Sequence, residues 1–420
     1  MSTQSPAAAA GSVRRRATGA LRQTARARQV ERTDLVLGAV LLLAAVFYVW
    51  TAATSMPLGL HNGSEDRYNL LASALLHFHL YVAHASAALL HLSDPYNPQL
   101  NHEHLGGPAD ASAINDDVLY HGLLYFVWGA APAVVLLVPL HLLGFEPSAS
   151  VTVSVYAIAG LGFTLATLRI LIRQVGGVPV WMCALAALAL ALGSTIPFLA
   201  RTPSVSEDTL AGGYCFVMAG IWLAAAALVS RRASTARLVL MSICFGLAAG
   251  SRPTLALCAP VLIAVYLRLR GGRRRRSLTI ALGLPIGICF ALLLAYNQAR
   301  FGSPFEIGSR YQLTGYDSRT APLGHLSYAA PGAWEYLSNP PQPMIVFPFI
   351  ALDAPKLTPP SGLPNPEITG GVLPMTPIAA FVVALPWLWR RRPRALGALA
   401  VPLMLLAGAG VAMMLLDSYE

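Results

Sequence analysis

Apolar and polar positions fall in long blocks along this chain rather than in the short periods of a water-soluble domain. Runs of about 20 apolar residues, the length that crosses bilayer hydrocarbon as a helix, occupy Leu35–Met56, Leu123–Leu143, Val151–Ile172, Val178–Leu199 and Leu210–Val229. A shorter pair follows, Leu238–Gly250 and Pro253–Leu267, interrupted at Ser251, Arg252 and Pro253. The last runs are Leu278–Tyr296, Val372–Trp389 and Leu396–Leu416. The pattern predicts an all-α polytopic membrane protein of about 9–11 transmembrane helices. A basic tail over 1–34 precedes a single transmembrane domain over 35–420, which carries two large external loops, 57–120 and 297–371. In the first loop, Asp66–Leu92 mixes apolar positions with histidines and predicts a helix lying at the membrane interface. In the second, Trp334, Tyr336, Phe347 and Phe349 among many prolines predict an ordered cap.

Composition narrows the class. Hydrophobic residues make up 55% and charged residues only 11% of the chain, against roughly a quarter charged in soluble domains, and the mean hydropathy is +0.58. The net charge of +10 does not point to nucleic acid, because the arginines cluster at the ends of apolar runs. That is the distribution of cytoplasmic loops under the positive-inside rule. Arg231–Arg237, Arg268–Arg276 and Arg390–Arg394 are therefore expected in the cytoplasm, with Arg201–Thr209, Arg252 and Asn297–Gly371 facing outward. The first apolar run is too long for a signal peptide and lacks a cleavage site, so it reads as a retained span in the plasma (inner) membrane, N-terminus inside. Counting forward from there produces a conflict. If every early run crosses, Arg169 and Arg173 fall outside. Either a segment of 57–120 also crosses, or one of the short pair does not.

Several side chains stand where chemistry is possible. Glu65 and Asp66 follow the first span and precede Arg67-Tyr68. Paired carboxylates there would suit removal of a proton from an acceptor; the plainer alternative is Ser64 capping a helix with two acids complementing its dipole. Arg252 sits in the break between two short helices, either as a functional intramembrane charge or as a snorkelling interfacial arginine. Asp208, beside Glu207, is either an acceptor-orienting acid or a helix cap. His77, His84 and His91 recur every seventh position, on one face of any continuous helix, and His102-Glu103-His104 follows. No metal-ligand signature accompanies them, so no metal site is assigned. The five cysteines all fall inside apolar runs and read as small core residues. Gly129-Ala-Ala-Pro132 offers close packing.

The order of apolar span, acidic pair, Arg-Tyr, amphipathic stretch and Asp94-Pro-Tyr-Asn-Pro98 resembles the start of the GT-C membrane glycosyltransferases. Within them it is most similar to the protein mannosyltransferase and aminoarabinose transferase branch. Asp110–Pro132, Gly246–Leu255 and Tyr296–Tyr311 extend the likeness. The resemblance implies an inverting, GT-C-like enzyme that moves a sugar from a polyprenyl-phosphate donor to an envelope glycan, lipid or protein acceptor, with its site extracytoplasmic. It carries the base to Asp66 or Glu65; the family's Asp-Glu order reads Glu-Asp here, which leaves the base open by one position, and Asp66 is preferred. Arginine suits the donor phosphate, implying Arg252, Arg300 and Arg310 as contacts, with Tyr68, Asp116, Tyr120 and Asp208 near the acceptor. Membrane lipid and the lipid-linked sugar phosphate are the expected partners; no organic cofactor is implied, and a divalent metal is compatible. The rival readings are a transporter or lipid flippase, or a non-catalytic membrane scaffold. A transporter would favour inverted repeats with paired helix breaks, and only the break at Arg252 is visible.

Overall fold

Helices account for most of the computed structural model, which describes residues 6–61, 63, 66–97, 100–101, 117–230, 233–271, 275–314, 317, 319–320, 329–345, 349–351, 370–376 and 380. Side chains are described from Arg28 onward, Ile350 excepted. Four helices contain stretches long and apolar enough to cross a membrane: Arg28–Ala53 of α1 (Pro6–Ala53), α5 (Ala149–Val175), α8 (Val205–Val229) and α11 (Arg275–Phe301). Shorter apolar helices are α4 (Ala133–Leu142), α6 (Val180–Leu192), α9 (Thr235–Ser251) and α10 (Pro253–Leu269). Between them lie two short helices near the first loop, α2 (Arg67–Leu76) and α3 (Ala87–Leu90), and α7 (Ile196–Arg201). Beyond Thr376 the last two apolar runs, and with them Arg390–Arg394, lie outside the described residues, Ala380 apart.

The bundle is organised around α8. In its most apolar stretch 72% of residues are buried, against 33% for α1 and α5 and 17% for α11. An apolar helix without a polar face belongs in the interior, and α8 packs on α5 and α9 while α9 packs on α11. The α5–α8 contact is close because Gly160 has no Cβ: one there would come within 2.3 Å of the Tyr214 ring. A second apolar cluster joins α1 to α5 and α6 through Leu37, Val40, Tyr48, Leu161 and Ala187. The outside of α11 shows Ile280, Leu284, Ile288 and Leu292 as a continuous exposed stripe at every fourth residue.

Three expectations are overturned. The run Leu123–Leu143 is not one helix. Its first part, β3 (Leu123–Phe126), pairs antiparallel with β2 (Asp117–Tyr120) through a two-residue turn at His121 and Gly122, both with positive φ. A buried strand and a buried helix share the same unbroken apolar pattern over a few residues. The stretch Asp66–Leu92 is not one helix either. It stops at His77, Phe78 takes a φ of 60°, and β1 (Ala83–His84) pairs with the free edge of β3. His77, His84 and His91 are thus a helix C-cap, a strand residue and another C-cap, and share no face. The run Val178–Leu199 is also broken, at Gly193–Thr195 between α6 and α7.

The helices that follow α4 run alternately between two ends. At one end, Asp34 of α1 binds Arg169 through Nε at 2.6 Å and Arg173 through Nη2 at 3.1 Å, and Gln29 donates to the Val178 carbonyl. At the other end, Ser55 meets Arg201, Gly59 meets Ser148, and Arg300 reaches Phe126. Arg169, Arg173, Arg237, Arg268 and Arg275 lie toward the Asp34 end; Asp66, Asp208, Arg252 and Arg300 lie toward the opposite end.

Candidate functional site at the Asp66 end

The chain leaving α1 is strapped against the chain entering α5. Glu146 and Ser148 donate their amides to the carbonyls of Leu60 and Gly59, and Gly63 donates to Glu146. Asp66 is the extended N-cap residue of α2, yet its side chain caps no amide of that helix. Its Oδ2 instead accepts from the amide of Ala149, the first residue of α5, at 2.8 Å. Ser148, at the N-cap of α5, spends its hydroxyl on Pro57. The carboxylate therefore meets the positive end of a membrane-length helix, a favourable place for an anion. One turn on, Asn69 is buried, its Nδ2 donating to the Pro147 carbonyl at 2.8 Å and its Oδ1 accepting from His141 Nε2 at 2.9 Å.

Tyr68 is the hub. It is 2% exposed, donates to the Gly129 carbonyl at 3.0 Å, shares a 2.6 Å hydrogen bond with Thr209 and packs edge-on against Phe126. Burial pushes its phenol pKa far up; the Thr209 bond and the Arg252 charge pull the other way, while Asp208 and Tyr296 add to the rise. The phenol stays neutral at physiological pH. Asp208, in the first turn of α8, is 3% exposed, and its Oδ1 has no hydrogen-bond partner among the described residues. It lies within electrostatic reach of Asp66 and of Glu207, which Ser204 and Ser206 engage.

Arg252 occupies the break between α9 and α10 with extended backbone, φ −136° and ψ 126°. Its guanidinium lies 4.3 Å from the centre of the Trp128 ring. The neighbouring Gly129 donates its amide to the Ser251 carbonyl at 3.1 Å, and a Cβ there would sit 2.1 Å from the Gly250 carbonyl. The glycine of the Gly129–Pro132 stretch thus locks the segment after β3 onto the helix break that presents Arg252.

The remaining arginines separate. Arg300 is 5% exposed: Nη1 donates to the Phe126 carbonyl at 2.7 Å, Nη2 to Asn297 at 2.9 Å, and Tyr296 stacks 4.0 Å away. It ties the end of α11 to β3. Arg310 is exposed, in a short turn after Gly308. Tyr120 donates to the Phe301 carbonyl at 3.3 Å and packs against Tyr311 and Phe301, part of the aromatic contact between hairpin and α11. Glu65 and Asp116 lie outside the described residues, as do His102 and His104. Among the described residues no three His, Cys, Asp or Glu side chains converge as metal ligands.

Sequence reasoning passed over three partners. Arg67 and Asp117 form an ion pair at 3.0 Å, with the Asp117 side chain 2% exposed, joining α2 to β2. Thr209 and Trp128 hold Tyr68 and Arg252. The Arg67-Tyr68 dipeptide was visible, but its partners lie about 50 to 140 residues away. No protein-family model, curated protein or solved structure matches the chain.

Proposed function

We propose that this chain is a multi-pass membrane glycosyltransferase that moves a sugar, with inversion, from a polyprenyl-phosphate donor to an envelope acceptor. Four long apolar helices and the exposed aliphatic stripe of α11 support the membrane setting. The basic turns at the Asp34 end favour the cytoplasm for that end, which puts the Asp66 end on the outer face. The observation that carries the reading is that Asp66, Tyr68, Asp208 and Arg252, from three distant segments, sit together at that end. Displacement at a sugar phosphate needs a carboxylate to take a proton and a cation to receive charge on the leaving group. In the proposed step the acceptor oxygen attacks the anomeric carbon and its proton passes to Asp66. The bond from that carbon to the phosphate oxygen breaks, and polyprenyl phosphate leaves as an anion stabilised by Arg252. Asp208 and Tyr68 orient the acceptor, and exposed Arg310 supplies a second phosphate contact. Arg300, whose two terminal nitrogens are already bonded, contributes by holding the hairpin.

The test is transfer by the purified chain in proteoliposomes, with radiolabelled polyprenyl-phosphate sugars and an envelope extract. Label should move to the acceptor, polyprenyl phosphate should be released, and both should stop in Asp66→Asn. Translocation of intact donor across the bilayer without release would favour a flippase instead.

A further inference from the structure

We propose that a second lipid site lies away from Asp66: a lateral groove between α1 and the α6–α7 pair that holds one anionic glycerophospholipid of the outer leaflet, its phosphate on Arg201. The groove encloses about 490 Å³. Its walls are apolar, with Val40, Leu43 and Phe47 on α1 and Leu188, Leu192 and Phe198 opposite. Leu43 and Leu192 are more than half exposed along it. Among the described residues that line it, Arg201, at the Asp66 end, is the charged one. One Nη of Arg201 is tied to Ser55, but its Nε is buried without a hydrogen-bond partner, and no described carboxylate pairs with it. A guanidinium keeps its charge at a membrane interface and pairs readily with phosphate, so the groove suits an anion at its mouth and hydrocarbon along its length. From Val40 to Thr51 the α1 lining rises about 16 Å at about 1.5 Å per residue, close to half of a hydrocarbon core of about 30 Å. That matches one acyl chain in one leaflet.

The inference uses the membrane setting proposed above and is independent of sugar transfer. Native mass spectrometry of the full chain, titrated with phosphatidylglycerol or with phosphatidylcholine of the same chains, measures it. Phosphatidylglycerol should bind about fivefold more tightly, the preference one arginine supplies at an anionic surface. Arg201→Gln should erase that preference, whereas Ser55→Ala, which removes only the internal bond, should keep it. Leu188→Trp, filling the groove without changing charge, should weaken both lipids, and it carries the test alone if Arg201→Gln does not fold. Equal binding of the two lipids, a preference that survives Arg201→Gln, unchanged binding in Leu188→Trp, or displacement of phosphatidylglycerol by polyprenyl phosphate would overturn the site.

Discussion

The carboxylate of Asp66 reaches an amide of α5 rather than of its own helix, so its structural and proposed chemical contributions separate by substitution. Asn caps a helix about as well as Asp, and Asp66→Asn keeps an oxygen for Ala149. Its thermal stability should match wild type while turnover falls about 10²–10⁴-fold, the worth of general-base assistance. Asp66→Ala also loses the cap and should cost about 1 kcal/mol in unfolding measurements. Normal turnover in Asp66→Asn would leave capping as its whole role. Arg252→Lys keeps the charge but loses the planar fork and its stack on Trp128. Donor turnover should drop sharply with folding intact; a wild-type rate would leave Arg252 a snorkelling arginine. In Tyr68→Phe the Gly129 carbonyl loses its buried donor, which should destabilise the chain by about 1–3 kcal/mol, read as a lower unfolding temperature in detergent.

At the scale of elements, the closest approach at the site is backbone against backbone, where Gly129 meets the end of α9. No rotamer change relieves a Cβ placed 2.1 Å from the Gly250 carbonyl, so Gly129→Ala must push the Arg252 break away from β3. Destabilisation of roughly 1–3 kcal/mol or more is expected, together with loss of activity. Gly38→Ala, on α1 where a Cβ would meet nothing within 4 Å, should fold normally and serves as the control. The same elements show where pattern reading stopped. Leu123–Phe126 is as apolar as a helix start, and only its pairing with Asp117–Tyr120 makes it a strand. The heptad of His77, His84 and His91 presumed a helix that ends at Leu76 because β3 offers the following residues an edge.

For the whole molecule, the hairpin decides how many times the chain crosses before α5. With Ala133–Leu142 too short to span alone, at about 15 Å, we propose that the described residues between α1 and α5 stay on one side of the membrane. Arg169 and Arg173 then join Asp34 on the other. Membrane-impermeant thiol labelling in intact cells, with the five native cysteines replaced, checks this. Leu143→Cys and Phe305→Cys, both at exposed positions, should react, while Ser234→Cys should stay protected. Protection at position 143 together with reaction at 305 would restore the second run as a crossing helix.

The sequence alone determined that the chain carries helices long and apolar enough to cross a membrane, because a backbone in hydrocarbon must satisfy its own hydrogen bonds along a continuous apolar run. It also marked the helix break at Arg252, since Ser251-Arg252-Pro253 combines a charge with a residue that cannot donate to the preceding turn. It could not decide strand against helix in short apolar runs, because local hydropathy is the same for both. Nor could it say what each charged side chain faces. That Arg300 is bound by Phe126, that Asp66 meets α5, and that Asp208 lies buried beside Tyr68 are contacts between segments far apart in the chain. Only the packing of the helices brings such groups together, and so only the tertiary structure decided them.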